Sequence, residues 1–407
     1  MEIWPVLALT FILVVLGILE HALHQHNLRK IPIRIHVNGT RGKSTTTRLI
    51  AGVLREGGYV VVAKTTGTAP RLILEDGSEE PILRRRKASI IEQVRIVREA
   101  AKREADVLVV ECMAVHPEMQ WVAEKRILHS TIGVITNARE DHLDVMGPTR
   151  GHVAETLALA IPRRGRLVVG EEEFIGLFKE EAEKLGTATY LAPASLGAQD
   201  LERFPYMMFR ENVACALKVG ELLAVPEEVA WAGMLKATPD IGSTTIYSLE
   251  HVGVTIYFVN ALAANDRTST LLVWDRWQEL AAQLGLERAP VVGLMHNRWD
   301  RSFRVPELAT LATTDLPLKI MLLTGDLVPV TKRHLRKHGF NPRAIGVVEK
   351  PTPQKVTRYL SNHYQGAVVL FAYGNTQGFG QELADFFRRN GVQVPNDHTS
   401  DGVRSSS

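Results

Sequence analysis

The sequence predicts an α/β chain: an apolar helix able to cross a membrane, then two domains in which strands and helices alternate. Three observations predict it. Ile3 to Leu19 is uncharged and almost wholly apolar. Asn38-Gly39-Thr40-Arg41-Gly42-Lys43-Ser44-Thr45 stands between a β-branched run and a helical pattern. From Val254 onward, short apolar runs each end in a polar cluster, as strands do where the carboxyl edge of a sheet faces a ligand.

The bulk numbers narrow the class. A chain of 407 residues has room for two or three domains. At 45% hydrophobic and 23% charged, its composition is that of ordinary globular proteins. The net charge of +3 gives no reason to invoke nucleic acid. Cys112 and Cys215 cannot build a disulfide framework and lack metal-ligand spacing. They fit a reducing compartment, as small buried hydrophobes.

Ile3 to Leu19 is just long enough to cross a bilayer. A cleaved signal peptide would carry a basic start and a small-residue cleavage site; here Glu2 stands at the start and no such site follows. Arg29, Lys30 and Arg34 come after the apolar run. The positive-inside rule then places the body in the cytoplasm, on a single-pass anchor in the cell membrane. The histidines at 21, 24 and 26 read as a polar linker rather than a metal site. Residues 1–30 are thus anchor and linker, 31–245 a first domain and 246–395 a second, with the break at Pro239 to Ser243. Residues 396–407 read as a disordered tail.

In the first domain, Ile31 to Val37 reads as a buried strand and Arg48 to Glu56 as a helix ended by Gly57-Gly58. Strand, glycine turn, Lys-Ser and helix make a phosphate cradle: glycines let backbone N–H groups turn inward, and the helix N-terminus adds positive charge. Lys43 can meet the β- and γ-phosphates and the Ser44 hydroxyl can hold Mg²⁺. Val37 stands where the full phosphate-loop pattern has its first glycine. Tyr59 to Ala63 forms the next strand and runs into Lys64-Thr65-Thr66-Gly67-Thr68. Arg84-Arg85-Arg86-Lys87 is either a solvated loop or a contact for an anionic substrate. After an amphipathic helix from Ile90 to Glu104, Val107 to Val110 delivers Glu111 to the same edge. That carboxylate suits a Mg²⁺ ligand or base, or else a cap or structural pair. Thr131 to Thr136 leads to Asn137, Arg139 and Asp141-His142-Leu143-Asp144, a candidate second metal shell. Leu167 to Val169 is a further strand, and a helix runs from Glu211 to about Ala224.

The second domain repeats the alternation. Val254 to Val259 leads into Asn260 to Arg267, Val291 to Met295 into His296 to Arg301, Ile320 to Leu323 into Thr324-Gly325-Asp326, and Val368 to Phe371 into Tyr373-Gly374-Asn375. This is the pattern of a Rossmann-like sheet with its ligand edge on one side.

Together these residues resemble the Mur ligase superfamily, and more closely the ligase subunit of poly-γ-glutamate synthase, the PgsB/CapB family. The likeness rests on the N-terminal apolar run, Asn38 to Thr45, Lys64 to Thr68, Glu111-Cys112-Met113-Ala114-Val115, Glu140 to Pro148, Ala263 to Asp266 and Tyr373-Gly374-Asn375. It implies a Mur-ligase-like central domain, a Rossmann-like C-terminal domain and an ATP-dependent ligase using Mg²⁺. Gly39, Thr40, Arg41, Gly42, Lys43, Ser44 and Thr45 would bind the nucleotide, with Asn212 at the adenine and Asn265 and Asp266 closing from the second domain. The implied catalytic set is Lys43, Glu111 and His142; Ser44, Glu111 and His142 would hold metal. Thr66, Arg139, Asn297 and Arg298 would line the substrate cleft. Two departures stand out. No lysine lies between Asp144 and Lys179, where Mur ligases carry a carbamylated one, and no arginine lies near Gly242 to Thr245.

The implied reaction joins glutamate through γ-linkages into a growing poly-γ-glutamate, with small membrane subunits as partners in synthesis and export. Three alternatives stay open: a related ligase with a folate or peptidoglycan acceptor, a membrane-tethered ATPase driving transport or assembly, and a nucleotide-binding scaffold without turnover.

Overall fold

Runs such as Val107 to Val110 carry no polar residue because both faces of their sheet are covered, and that covering fixes the architecture. The computed structural model describes residues 3–66, 70–84, 88–193, 196–204, 206–240, 244–264 and 266–394. The chain divides into two compact units: Met1–Leu196 with Phe209–Asp240, and Gly197–Met208 with Ile241–Ser407.

The first unit holds β1 (Ile33–Asn38), β2 (Val61–Lys64), β3 (Arg71–Ile73), β4 (Glu79–Pro81), β5 (Val107–Glu111), β6 (Ile132–Ile135), β7 (Arg166–Val169) and β8 (Ala188–Leu191). They form one sheet in the order β4-β3-β2-β5-β1-β6-β7-β8. Strands β2, β5, β1, β6, β7 and β8 run parallel, and β3–β4 adds an antiparallel edge. All the parallel strands therefore end at one edge, and β1, β2, β5 and β6 deliver their following loops side by side there.

Three helices matter for the site. The helix α1 (Trp4–Arg29) precedes β1, α2 (Lys43–Glu56) follows the glycine turn, and α3 (Glu92–Lys102) precedes β5. Helix α2 starts at Lys43, five residues earlier than its apolar periodicity shows, because Thr45 to Thr47 are buried or half-buried against the sheet and helix packing overrides their weak propensity. The span from residue 20 to 29 corrects the linker reading: it is helical and continuous with the apolar stretch. His24 and Leu28, one turn apart, are buried against the body.

The second unit holds β9 (Ile246–His251), β10 (Val254–Ala261), β11 (Val291–Asn297), β12 (Ile320–Gly325), β13 (Ile345–Val347), β14 (Gly366–Gly374) and β15 (Val392–Gln393). Their order is β13-β12-β11-β14-β10-β9-β15. Strands β13 to β10 are mutually parallel, while β9 and β15 are antiparallel additions. The core covers both faces of β10, β11 and β14, and on one of them Phe258 stacks on Phe387 at 4.3 Å.

Candidate active site

The glycine turn is built where only glycine fits. Gly39 and Gly42 have φ of 127° and 80°. A Cβ on Gly39 would come within 2.1 Å of Thr136 Oγ1, and one on Gly42 within 2.1 Å of Asn212 Oδ1. The loop is then tied to the end of β6. The Thr40 N–H donates to the Asn137 carbonyl at 3.1 Å, and the Arg41 N–H to Asn137 Oδ1 at 3.0 Å. Thr136 Oγ1 donates to the Arg41 carbonyl at 2.6 Å. Beneath it, Asn38 Nδ2 donates to Gln120 Oε1 at 2.8 Å. These bonds preorganise a backbone curve whose following helix leaves its first-turn N–H groups without intrahelical partners.

Lys43 Nζ lies across this curve, donating to the carbonyls of Gly39 at 2.6 Å and Thr40 at 3.1 Å. Ser44 Oγ donates to Glu111 Oε2 at 2.8 Å. The Thr66 N–H donates to the same oxygen at 2.6 Å. Residues from α2, β5 and the loop after β2 thus converge on one buried carboxylate. A hydroxyl and a carboxylate are hard oxygen donors of the kind Mg²⁺ takes, and they stand beside a glycine turn packed too closely on Thr136 and Asn212 to admit a Cβ, so these residues fit a magnesium-bound phosphate.

Other expected residues sit around this centre. Asn212 is buried under Gly42 and accepts from Thr46 Oγ1 at 3.2 Å. Arg139 bonds Glu211 Oε1 at 2.5 Å, and its N–H donates to Thr40 Oγ1. Arg41 faces Asp141 at 3.6 Å. His142 takes a left-handed conformation (φ 49°) at the start of Leu143–Met146, its Nε2 3.9 Å from Asp141 Oδ1. Among the described residues, no three His, Cys, Asp or Glu side chains gather into a metal-holding group.

In the second unit, Asp266 caps the helix Arg267–Gln283 and accepts from the Ser269 N–H at 2.8 Å. Asn297 Nδ2 donates to Thr331 Oγ1 at 2.9 Å. Arg298 reaches Gln377 and, at 3.0 Å, Asp300. Asn265, Gly67, Thr68, Arg85, Arg86 and Lys87 lie outside the described residues.

The sequence reading missed a buried ionic group beside the site. Lys64 Nζ donates to Glu92 Oε1 at 2.8 Å, and Arg84 binds the same carboxylate through two nitrogens at 2.8 and 3.0 Å. Burial pushes the Lys64 pKa down against the pull of Glu92. Burial also acts to raise the Glu92 carboxyl, but the bonds from Arg84 and Lys64 prevail and hold it at about 2. A lysine closing an apolar strand was the signal for this group, since such an ammonium needs a partner. A second missed pair lies below β1: His36 Nδ1 meets Glu124 Oε2 at 2.9 Å, and Ser130 Oγ donates to that oxygen.

The family model for the Poly-gamma-glutamate synthase CapB C-terminal domain matches residues 246–390, and that for the Mur ligase middle domain matches residues 37–188. The capsule biosynthesis protein CapB of Bacillus anthracis is 38% identical over 379 residues, 92% of this chain and 81% of that protein. The PGA synthase CapB of Bacillus subtilis is 35% identical over 387 residues, 94% and 97% of the two chains. A bifunctional folylpolyglutamate synthase/dihydrofolate synthase from Yersinia pestis, solved with AMPPNP and a Mn ion, shares the fold at TM-score 0.64 and 16% identity, covering 91% of each chain. On these likenesses, which extend over nearly its whole length, the chain belongs to the CapB family of poly-γ-glutamate synthases, built on a Mur ligase middle domain.

Proposed function

We propose that the chain is an ATP-dependent acid–amino-acid ligase that joins glutamate through γ-linkages into a capsule-type polymer. The observation that carries the reading is the meeting of Ser44, Thr66 and Glu111 beside the Gly39–Lys43 cradle. The names of its Bacillus relatives supply the substrate class.

A free carboxylate is a poor acyl donor because oxide would have to leave. Attack of a glutamyl carboxylate oxygen on the γ-phosphorus of ATP forms an acyl phosphate and releases ADP. The amine of the next glutamate attacks the acyl carbon, loses a proton, and phosphate departs as the amide forms. Phosphoryl transfer needs positioning and charge neutralisation more than covalent help. In this reading the loop amides and Lys43 bind and neutralise the phosphates, while Thr66 orients Glu111 through its N–H. Ser44 and Glu111 would hold Mg²⁺, which supplies charge stabilisation on the phosphate oxygens when bound. Arg139 and Arg298 are the candidate carboxylate binders, since guanidinium takes carboxylate bidentately. Asn212, Asp266 and Asn297 complete the proposed nucleotide and substrate contacts, His142 would serve a second metal, and the domain division at 245/246 belongs to the same reading.

Helix α1 supports a single-pass anchor in the cell membrane, with the body in the cytoplasm where ATP is. Small membrane subunits for export are the proposed partners. The decisive test uses membranes carrying Lys43→Ala. They should lose glutamate-dependent ADP release and form no product cleaved by a γ-specific hydrolase; undiminished turnover would overturn the assignment.

A further inference from the structure

The end of α1 is fastened to one particular edge of the first sheet. Leu28 and Ile31 are buried in the core that contains Ala101, Ala105 and Leu128. His24 Nε2 lies 2.8 Å from the Ile127 carbonyl. Arg34 closes the joint, its guanidinium donating to the carbonyls of Leu28 (3.3 Å), Ile31 (2.5 Å), Leu128 (3.1 Å) and His129 (2.9 Å). These groups precede β1, β5 and β6, so the joint lies at the amino edge of the parallel strands. Glu111, Thr66 and the glycine turn follow β5, β2 and β1, at the opposite edge.

The rest of α1 stands clear of the body: its apolar stretch is exposed, with a mean hydropathy of 2.4. From Ile3 to Leu19 the uncharged run rises about 25 Å as helix, just long enough to cross the hydrocarbon core of a bilayer. About one further turn of the same unbroken helix, Glu20 to Leu23, joins it to the docked His24, so no flexible linker separates the span from the body. Exposed cations crowd the loops and helix ends of this same edge: Arg29, Lys30, Lys102, Arg126, Arg163 and Arg164. Glu104 and Asp106 lie among them, and Asp106 is occupied by the Val60 N–H at 2.9 Å.

We infer that the amino edge of the first sheet is a membrane-facing surface that receives anionic phospholipid headgroups, so that the phosphate-loop edge opens away from the bilayer. The inference rests on the anchor reading of α1. Strands of this length set the two edges about 15–20 Å apart. Clustered cations close to a negatively charged leaflet are each attracted to it. A product released at the loop edge therefore leaves on the side remote from the lipid, and export requires a component that collects it there.

Fluorophore depth quenching tests this on the full chain in vesicles. Single labels are placed at Lys102→Cys, on the amino edge, or at Glu118→Cys, after β5 on the loop edge; both positions are exposed and the native cysteines are buried. The vesicles contain phosphatidylcholine with a quarter phosphatidylglycerol and a headgroup nitroxide lipid. Quenching at Lys102 should exceed that at Glu118 several-fold, and should fall when phosphatidylglycerol is replaced by phosphatidylcholine. Carbonate extraction of the unlabelled chain checks the anchor by itself. Release into the soluble fraction would sink the anchor and this inference together. Retention with equal quenching at both positions, or with quenching indifferent to lipid charge, would sink the inference alone.

Discussion

At the carboxyl edge of the first sheet, Ser44 and Thr66 meet around one oxygen of Glu111. At that of the second, Asp266 caps a helix, Asn297 binds Thr331, and His296 spans Thr324 and the Gln377 carbonyl at 3.0 Å each. Both edges read alike in sequence, as apolar runs ending in polar clusters. They differ in what the polar atoms are bonded to. In the first, a side-chain hydroxyl and a backbone N–H from separate elements meet on one carboxylate beside a left-handed glycine turn. In the second, Asp266, Asn297 and His296 each hold a neighbouring segment of the same scaffold. Convergence, rather than polarity, marks the reacting centre.

The largest effect should come from dismantling that convergence. Ser44→Ala and Glu111→Gln should each lower glutamate-dependent turnover by about 10²–10³-fold, the usual loss for one preorganised electrostatic contact to a transferring group. Because both act on one ion, the double variant should lose far less than the product of the single losses. Additive losses in a turnover assay would show that they work separately.

Next come the two buried ion pairs, which separate scaffold from site. Glu92→Gln strands Lys64, and should cost about 3–5 kcal/mol in urea unfolding, as removing one partner of a buried pair does. The Glu92 pKa falls from 4.5 to about 2 on folding, so its contribution is present above 4.5 and is lost as the pH falls toward 2. The variant should lack that acid limb. His36 shows the opposite sign. Burial works to lower its pKa, but the Cys112 sulfur and the Glu124 carboxylate raise it to about 10. Its contribution is complete below 6.5 and disappears as the pH climbs toward 10. His36→Gln should cost about 1–3 kcal/mol, the desolvation of an unmatched buried group, and flatten the alkaline limb. A stability profile unchanged in that range would show that the pair carries no charge.

Much of the first edge was legible because backbone and side-chain signals coincide there. Gly39 and Gly42 demand left-handed turns, Lys43-Ser44 follows at once, and the all-apolar strand before Glu111 leaves that carboxylate only the sheet edge to occupy. What escaped the sequence depends on contacts between distant residues. No local pattern links Lys64 to Glu92, His36 to Glu124, or Asn212 to the underside of Gly42. The strands β4, β8, β13 and β15 were missed because edge strands part-exposed to solvent lose the continuous apolar run of buried ones, and β3 and β9, next to an edge, because one has three residues and the other mixes polar with apolar ones. The histidine-rich span after the apolar stretch reads as linker on composition, yet is helical, since docking of His24 and Leu28 outweighs its polarity.

Asp266 gives the smallest and most discriminating test of the contrast between the two edges. The resemblance assigns it to the nucleotide, whereas its side chain caps the helix Arg267–Gln283 through the Ser269 N–H. Loss of a capping acceptor costs about 1 kcal/mol, and a serine restores most of it because its hydroxyl accepts the same bond. A residue that only caps should therefore show a small stability loss in Asp266→Ala, full recovery in Asp266→Ser, and turnover that follows stability in both. A carboxylate that also serves the nucleotide cannot be replaced by a hydroxyl without losing its charge. Asp266→Ser would then fold like the parent yet show a raised KM for ATP. The split between a recovered midpoint and a persistent KM defect separates the two roles at this one position, and shows whether a residue of the second edge serves the nucleotide as well as the scaffold.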